Sequence, residues 1–240
     1  METDEILKVT HLRKAYRGRE VLKDVTFSLA PGTAAALIGP PGTGKTTLFR
    51  IIAGMAFPEE GSISIFGCSG ETELRKARQQ VGFLVDTAFG KKTFNVEKNL
   101  LLLAGLYGKP DKQYIRHLMK RLRIRETDVG SKRVSLLIKA EQARYALAAA
   151  LVNKPRLLIL DEPLEDMHTD DLEMVCTLLN ELREEGTAML LSGSSVNRLR
   201  LVCSQVLLLN EGVVTGPVSM STVSTGTVST GTVLDDTQQA

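Results

Sequence analysis

Gly39-Pro40-Pro41-Gly42-Thr43-Gly44-Lys45-Thr46 is the stretch of this chain whose residue types and spacing most plainly carry chemistry. It fits the pattern G-x-x-x-x-G-K-[ST], in which glycines let successive backbone N–H groups turn inward on an anion while a lysine adds a point charge. That combination grips the phosphates of a nucleotide. The phosphate-binding set is then Gly39, Pro40, Pro41, Gly42, Thr43, Gly44, Lys45, Thr46 and Thr47. Lys45 should reach the β and γ phosphates, and the Thr46 hydroxyl should ligate Mg²⁺, so ATP and Mg²⁺ are the expected cofactors. Far downstream, Leu157-Leu158-Ile159-Leu160 is an apolar run that ends in Asp161 and Glu162. A buried strand delivering a carboxylate at its end is what a second Mg²⁺ ligand, Asp161, requires. Glu162 beside it can polarise an attacking water as the catalytic general base.

These groups need elements that hold them, and the flanking sequence supplies them. Short apolar runs alternate with longer helical patterns, which is the signature of an α/β sheet with helices on its faces. Ala34 to Ile38 is a buried-strand candidate running straight into the glycine-rich turn, and a helix should follow from Gly44 to Ala53, stopped by Gly54. Ser62 to Phe66 alternates as a half-buried strand, and Val81 to Val85 reads as another. From about residue 88 to 150 the pattern turns helical: Asn95 caps one helix through Tyr107, Asp111 a second through Arg123, and a third covers about 140–153. Strands resume at Arg156 to Leu160, Thr187 to Leu191 and Gln205 to Leu209, with a helix from Thr169 toward Glu185 between the first two. Thr222 to Val233 repeats Thr-Val-Ser-Thr-Gly and reads as a disordered extension.

Composition narrows the function classes. Thirty basic against twenty-eight acidic residues leave a net charge of +2, which argues against a nucleic-acid partner held by bulk charge. Cys68, Cys176 and Cys203 are scattered, as are His11, His117 and His168, so neither a disulfide framework nor a zinc site is indicated. The first five residues are acidic where a secretory signal would be basic, and the longest apolar run, Tyr145 to Val152, falls far short of the roughly 18 residues that span a bilayer. The basic run Arg116, Lys120, Arg121, Arg123 and Arg125 has no interleaved aromatics and reads as a solvated helix face.

With the phosphate loop, the Asp161-Glu162 strand and a helical insert between them, the chain resembles the ATP-binding cassette (ABC) ATPase family over roughly residues 6 to 215. It looks most like the single-cassette subunits of bacterial drug or lantibiotic-type exporters. The resemblance implies a P-loop NTPase core of the ABC type with an inserted helical subdomain. It divides the chain into a first core part, residues 1–86, a helical subdomain, 87–153, a second core part, 154–215, and a low-complexity tail, 216–240. It also implies that Tyr16 stacks on adenine and that Asp86, at the Q-loop position, contacts the metal with a shorter carboxylate than usual. Implied partners are a membrane-spanning transporter subunit and a second ATPase subunit, as homodimer or heterodimer. The implied location is cytoplasmic, peripheral on the inner face of the cell membrane.

The resemblance breaks at several positions. The segment matching the family signature is Leu137-Ile138-Lys139-Ala140-Glu141, where Ile138 lacks a hydroxyl and Lys139 and Ala140 carry side chains at a place of close phosphate approach. His168 falls at the D-loop aspartate, and Ser194 at the switch histidine, where a hydroxyl can hydrogen-bond a phosphate without carrying charge. Two functions therefore stand: an ATPase coupled to transport, slow or partner-dependent in hydrolysis, and a non-hydrolysing nucleotide-sensing subunit. A soluble cassette protein of translation or repair would need tandem cassettes or long coiled coils, for which 240 residues leave no room.

Overall fold

A computed structural model describes residues 5–85, 90–124, 130–165 and 167–223. The elements follow in the order β1 Leu7–Tyr16, β2 Arg19–Leu29, β3 Ala34–Ile38, α1 Lys45–Ala53, β4 Glu60–Ile65, α2 Glu71–Ala77 and β5 Val81–Leu84. Next come three helices in succession, α3 Val96–Gly105, α4 Lys112–Arg121 and α5 Lys139–Leu151. The chain then forms β6 Leu157–Leu160, α6 Thr169–Glu184, β7 Ala188–Gly193, α7 Val196–Leu199, β8 Gln205–Asn210 and β9 Val213–Ser219. The strands form one mixed sheet in the order β4-β1-β2-β9-β8-β3-β7-β6-β5.

The centre of that sheet, β8-β3-β7-β6-β5, is parallel throughout. Every residue of β3 and β6 is buried, as expected for parallel strands covered on both faces. Alternation along β3 divides the core: Ala34, Ala36 and Ile38 face one apolar cluster, Ala35 and Leu37 the other. The first cluster is closed by α3, α4, α5 and α6 through residues such as Leu100, Leu118, Leu147 and Leu179. The second is closed by Leu48, Phe49, Ile51 and Ile52 of α1 and by the β1–β2–β4 sheet. The helix that carries the phosphate loop and the helical segment thus lie on opposite faces.

Helix ends follow the sequence expectations closely. Asn95 accepts from the Lys98 N–H at 2.8 Å, and Asp111 from those of Gln113 and Tyr114 at 3.1 and 3.0 Å. At the end of α1 the Gly54 N–H returns to the Ile51 carbonyl, and the Arg78 guanidinium donates to the Ile52 carbonyl at 2.8 Å. Differences concern β1, α2, the short α7 and β9, none of which stands out in the sequence. β1 is interrupted by register shifts around a left-handed His11, which spoil strict alternation. α2 is a charged surface helix with only Ala77 buried. β9 runs past the boundary expected at residue 216, because the free edge of β8 pairs with it as far as Ser219, and Met220 and Val223 are buried beyond it. The repeats from residue 224 onward lie outside the described residues, as does Asp86. Among the described residues no helix is long and apolar enough to cross a membrane.

Candidate functional site

Three adjacent parallel strands deliver their carboxyl ends to one place. The register pairs Ile38 with Gly193 and Leu160 with Leu191. The loop leaving β3 is therefore set beside the end of β7, and Asp161 beside Ser192. Ligand sites in open α/β sheets form at such carboxyl edges.

The loop from Gly39 to Gly44 is shaped by its neighbours. A side chain at Gly39 would stand 2.2 Å from the Leu209 carbonyl, so only glycine fits there. Gly44 caps α1 in the left-handed region at φ 109°, where a side chain would also meet Leu22. Pro40 and Pro41 have no N–H to offer, and the Thr43 N–H donates to the Pro40 carbonyl at 3.4 Å, so the candidate donors are those of Gly42 and of Gly44 to Thr47. Thr43 closes the turn on itself, its hydroxyl donating to the Pro40 carbonyl at 2.9 Å. The N–H groups of Lys45, Thr46 and Thr47 lie in the first turn of α1, where no helical carbonyl precedes them, and the helix adds positive potential at that end.

Lys45 is 8% exposed, and its ammonium donates to the carbonyls of Gly39 at 2.6 Å and Pro40 at 3.1 Å. Desolvation lowers the Lys45 pKa, opposed in part by the negative charges of Glu162, Asp161 and Glu165. The cation is thus held in an acidic surround that an anionic ligand would have to enter.

The carboxylate end of β6 is tied to this loop. The Thr46 hydroxyl donates to Asp161 Oδ2 at 2.7 Å, and the Ser192 hydroxyl to Asp161 Oδ1 at 2.5 Å. Ser192, 1% exposed, in turn accepts from the Glu162 N–H at 2.9 Å. Glu162 itself is exposed and sits at φ 51°, a left-handed conformation rare for a residue with a side chain. Strained backbone of this kind clusters at functional sites, and here the Ser192 bond helps to hold it. A cleft of about 610 Å³ opens beside these groups, lined by Thr46, Arg50, Lys139, Asp161, Glu162 and Glu165 among others.

A family model described as ABC transporter matches residues 22–165. The chain belongs to the ABC transporter family. Among its curated relatives, the uncharacterized ABC transporter ATP-binding protein YdbJ of Bacillus subtilis is 28% identical over 90% of this chain and 70% of its own length. The Nod factor export ATP-binding protein I of Rhizobium leguminosarum bv. viciae is 31% identical over 83% of this chain, which spans only 64% of that protein. A solved ATP-binding subunit of an ABC transporter superposes with a TM-score of 0.82 at 27% identity, covering 90% of each chain.

Within this ABC cassette the remaining expected residues fall as follows. Tyr16 is 44% exposed, at the tip of the β1–β2 hairpin opposite Arg19, with the Lys14 ammonium 5.1 Å above its ring. Val21 of the same hairpin packs against Gly44, so the tyrosine stands on the element that flanks the phosphate loop. His168 is an exposed residue preceding α6 whose side chain makes no capping bond. In the signature segment, Leu137 is buried, Ile138 and Lys139 are exposed, and Glu141 is 5% exposed and bonded to the Lys132 ammonium at 2.6 Å. Glu141 also accepts from the Ile138 N–H at 3.1 Å, so it serves the start of α5. Two residues of the site are not legible in the sequence: Ser192, which joins Asp161 to Glu162, and Glu165, which holds Ser194. Their roles depend on the β6–β7 register, and nothing local marks them.

Proposed function

We propose that this chain is the ATP-binding, ATP-hydrolysing subunit of a transporter, bound on the inner face of the membrane to a separate membrane-spanning subunit. The observation that carries this is the single network in which the Thr46 hydroxyl, both Asp161 oxygens, the Ser192 hydroxyl and the Glu162 N–H are joined beside Lys45. In this reading Lys45 exchanges the Gly39 and Pro40 carbonyls for the β and γ phosphates, and the loop N–H groups take the remaining phosphate oxygens. Tyr16 offers its ring to adenine. Glu162 accepts the proton of the attacking water, its carboxylate aimed by the strained backbone beneath it.

Thr46 and Asp161 supply two hard oxygen donors, which suits Mg²⁺ completed by phosphate oxygens and water, with Asp86 as a further donor. When bound, such an ion neutralises charge on the phosphates.

Turnover is expected to be slow in the isolated chain, because the exposed Ile138 and the inward-turned Glu141 leave the signature short of phosphate donors. Phosphate release from ATP should be measured on the chain alone and with its membrane subunit, with Glu162→Gln alongside. The expected result is low basal turnover, raised by the partner and cut about 10²–10⁴-fold by the substitution. Rapid turnover by the isolated chain would overturn the partner dependence. Equal inactivity of both forms under all conditions, with ATP still bound, would instead establish the nucleotide-sensing reading, which the engaged Ser194 favours.

A further inference from the structure

Glu165 has no task in the mechanism above, yet its carboxylate holds Ser194, the residue that stands at the switch-histidine position. Its Oε1 accepts from the Ser194 N–H at 2.6 Å and from the Ser195 N–H at 3.3 Å. Its Oε2 accepts from the Ser194 hydroxyl at 2.9 Å. Both hydrogen-bond donors of Ser194 are therefore engaged by one carboxylate. The close approach depends on Gly193, where a side-chain carbon would stand 3.0 Å from Oε1.

Two further observations put this carboxylate at the nucleotide end of the cleft. It lines the same cavity as Thr46, Asp161 and Glu162. Its charge also acts on Lys45 together with those of Asp161 and Glu162, so it lies within the electrostatic reach of the cation that would meet the terminal phosphate. A γ-phosphate arriving at Lys45 would meet an anion already in place, and that anion already holds the Ser194 hydroxyl just past the end of β7. A carboxylate and a phosphate competing for the same donors and the same cation oppose each other's binding.

We propose that Glu165 is a positioning residue that sets the discrimination between ATP and ADP. It holds Ser194 turned away from the terminal phosphate and opposes the charge of that phosphate, so ATP has to displace it and ADP does not. The proposal rests on the assignment of Lys45 to the γ-phosphate made under the proposed function and on the switch-histidine position that the family resemblance gives Ser194. It gives the exchange of a switch histidine for Ser194 a physical counterpart: the chain has an internal anion where the family resemblance implies a phosphate-sensing side chain.

The test is a fluorescence titration of the full chain with ribose-labelled ATP and ADP, repeated for Glu165→Gln and Glu165→Ala. The glutamine keeps an oxygen acceptor for Ser194 and removes the charge, while the alanine removes both. The expected result is a rise of about three- to tenfold in the ratio of ATP to ADP affinity for each variant, within the range for neighbouring coupled groups, with ADP affinity changing less than ATP affinity. A merely structural role for Glu165 would move both nucleotides together. If a Glu165 variant loses ADP binding through misfolding, Gly193→Ala crowds the carboxylate at 3.0 Å without deleting it, and the ratio should rise in the same direction by a smaller factor. An unchanged ratio with ADP bound normally overturns this proposal alone. Failure of the wild-type chain to bind either nucleotide overturns the site reading beneath it.

Discussion

Glu162 combines an exposed carboxylate with a left-handed backbone, and the two properties can be separated by substitution. A residue with a side chain loses roughly 1–2 kcal/mol in that conformation, which glycine avoids. Glu162→Gly is therefore expected to leave the folded state as stable as wild type, or up to about 1 kcal/mol more stable after the greater flexibility of the unfolded chain is counted. ATP turnover should be lost in the same variant. Denaturant midpoints beside phosphate-release assays check this, and a large destabilisation would mean that the carboxylate supports the fold. At this scale the sequence was informative wherever function is a local property. The run from Gly39 to Thr46 shows its chemistry in eight consecutive letters because the chain itself wraps the phosphate. Ser192 and Glu165 act only across the β6–β7 register, so their neighbours in sequence say nothing about them.

Among the elements, α5 has the least orthodox beginning. A helix start of this kind is normally closed by a reciprocal pair, a Ser or Thr cap and a Glu three residues on. Here Glu141 makes its half by accepting from the Ile138 N–H, while the Ile138 side chain has no oxygen to return the bond. Ile138→Ser supplies that oxygen and removes an exposed apolar group, 65% accessible at present. It should stabilise the chain by about 0.5–2 kcal/mol in thermal or denaturant unfolding. Burial pushes the Glu141 carboxyl upward, but the Lys132 ammonium and the Ile138 N–H more than offset this, and its pKa is held below the ordinary 4.5. Its contribution is thus complete above pH 4.5 and is lost as pH falls through the depressed value. Glu141→Gln should flatten the acid limb of the stability profile, with little change in the slope near neutrality. The caps of α3 and α4 were readable because Asn95 and Asp111 act within their own helices. β9 was not readable, since its existence depends on β8 offering an edge, and α2 was hidden because a helix with one buried residue has no apolar stripe.

At the scale of the whole molecule, the phosphate loop connects the two halves of the core. It leaves β3, whose alternate residues belong to different clusters, and it enters α1, which packs on only one of them. Thr46 and Asp161 then tie α1 to the end of β6, so a ligand seated in the loop braces β3, α1 and β6 together. Such a ligand binds the folded state alone, and its stabilisation follows RT ln(1 + [L]/Kd), about 2.7 kcal/mol at one hundred times Kd. For a chain of 240 residues, where each kcal/mol moves the melting temperature by about 2–4 °C, Mg-ATP at that level should raise Tm by about 5–10 °C. Lys45→Ala should abolish the shift, because the loop then loses the cation that its carbonyls now hold and that the phosphates would claim. Glu162→Gln should keep the shift in full, since that residue is assigned to water and not to the nucleotide. A Lys45→Ala chain that still gained the full shift would move the nucleotide away from this loop, and with it the whole assignment of the site.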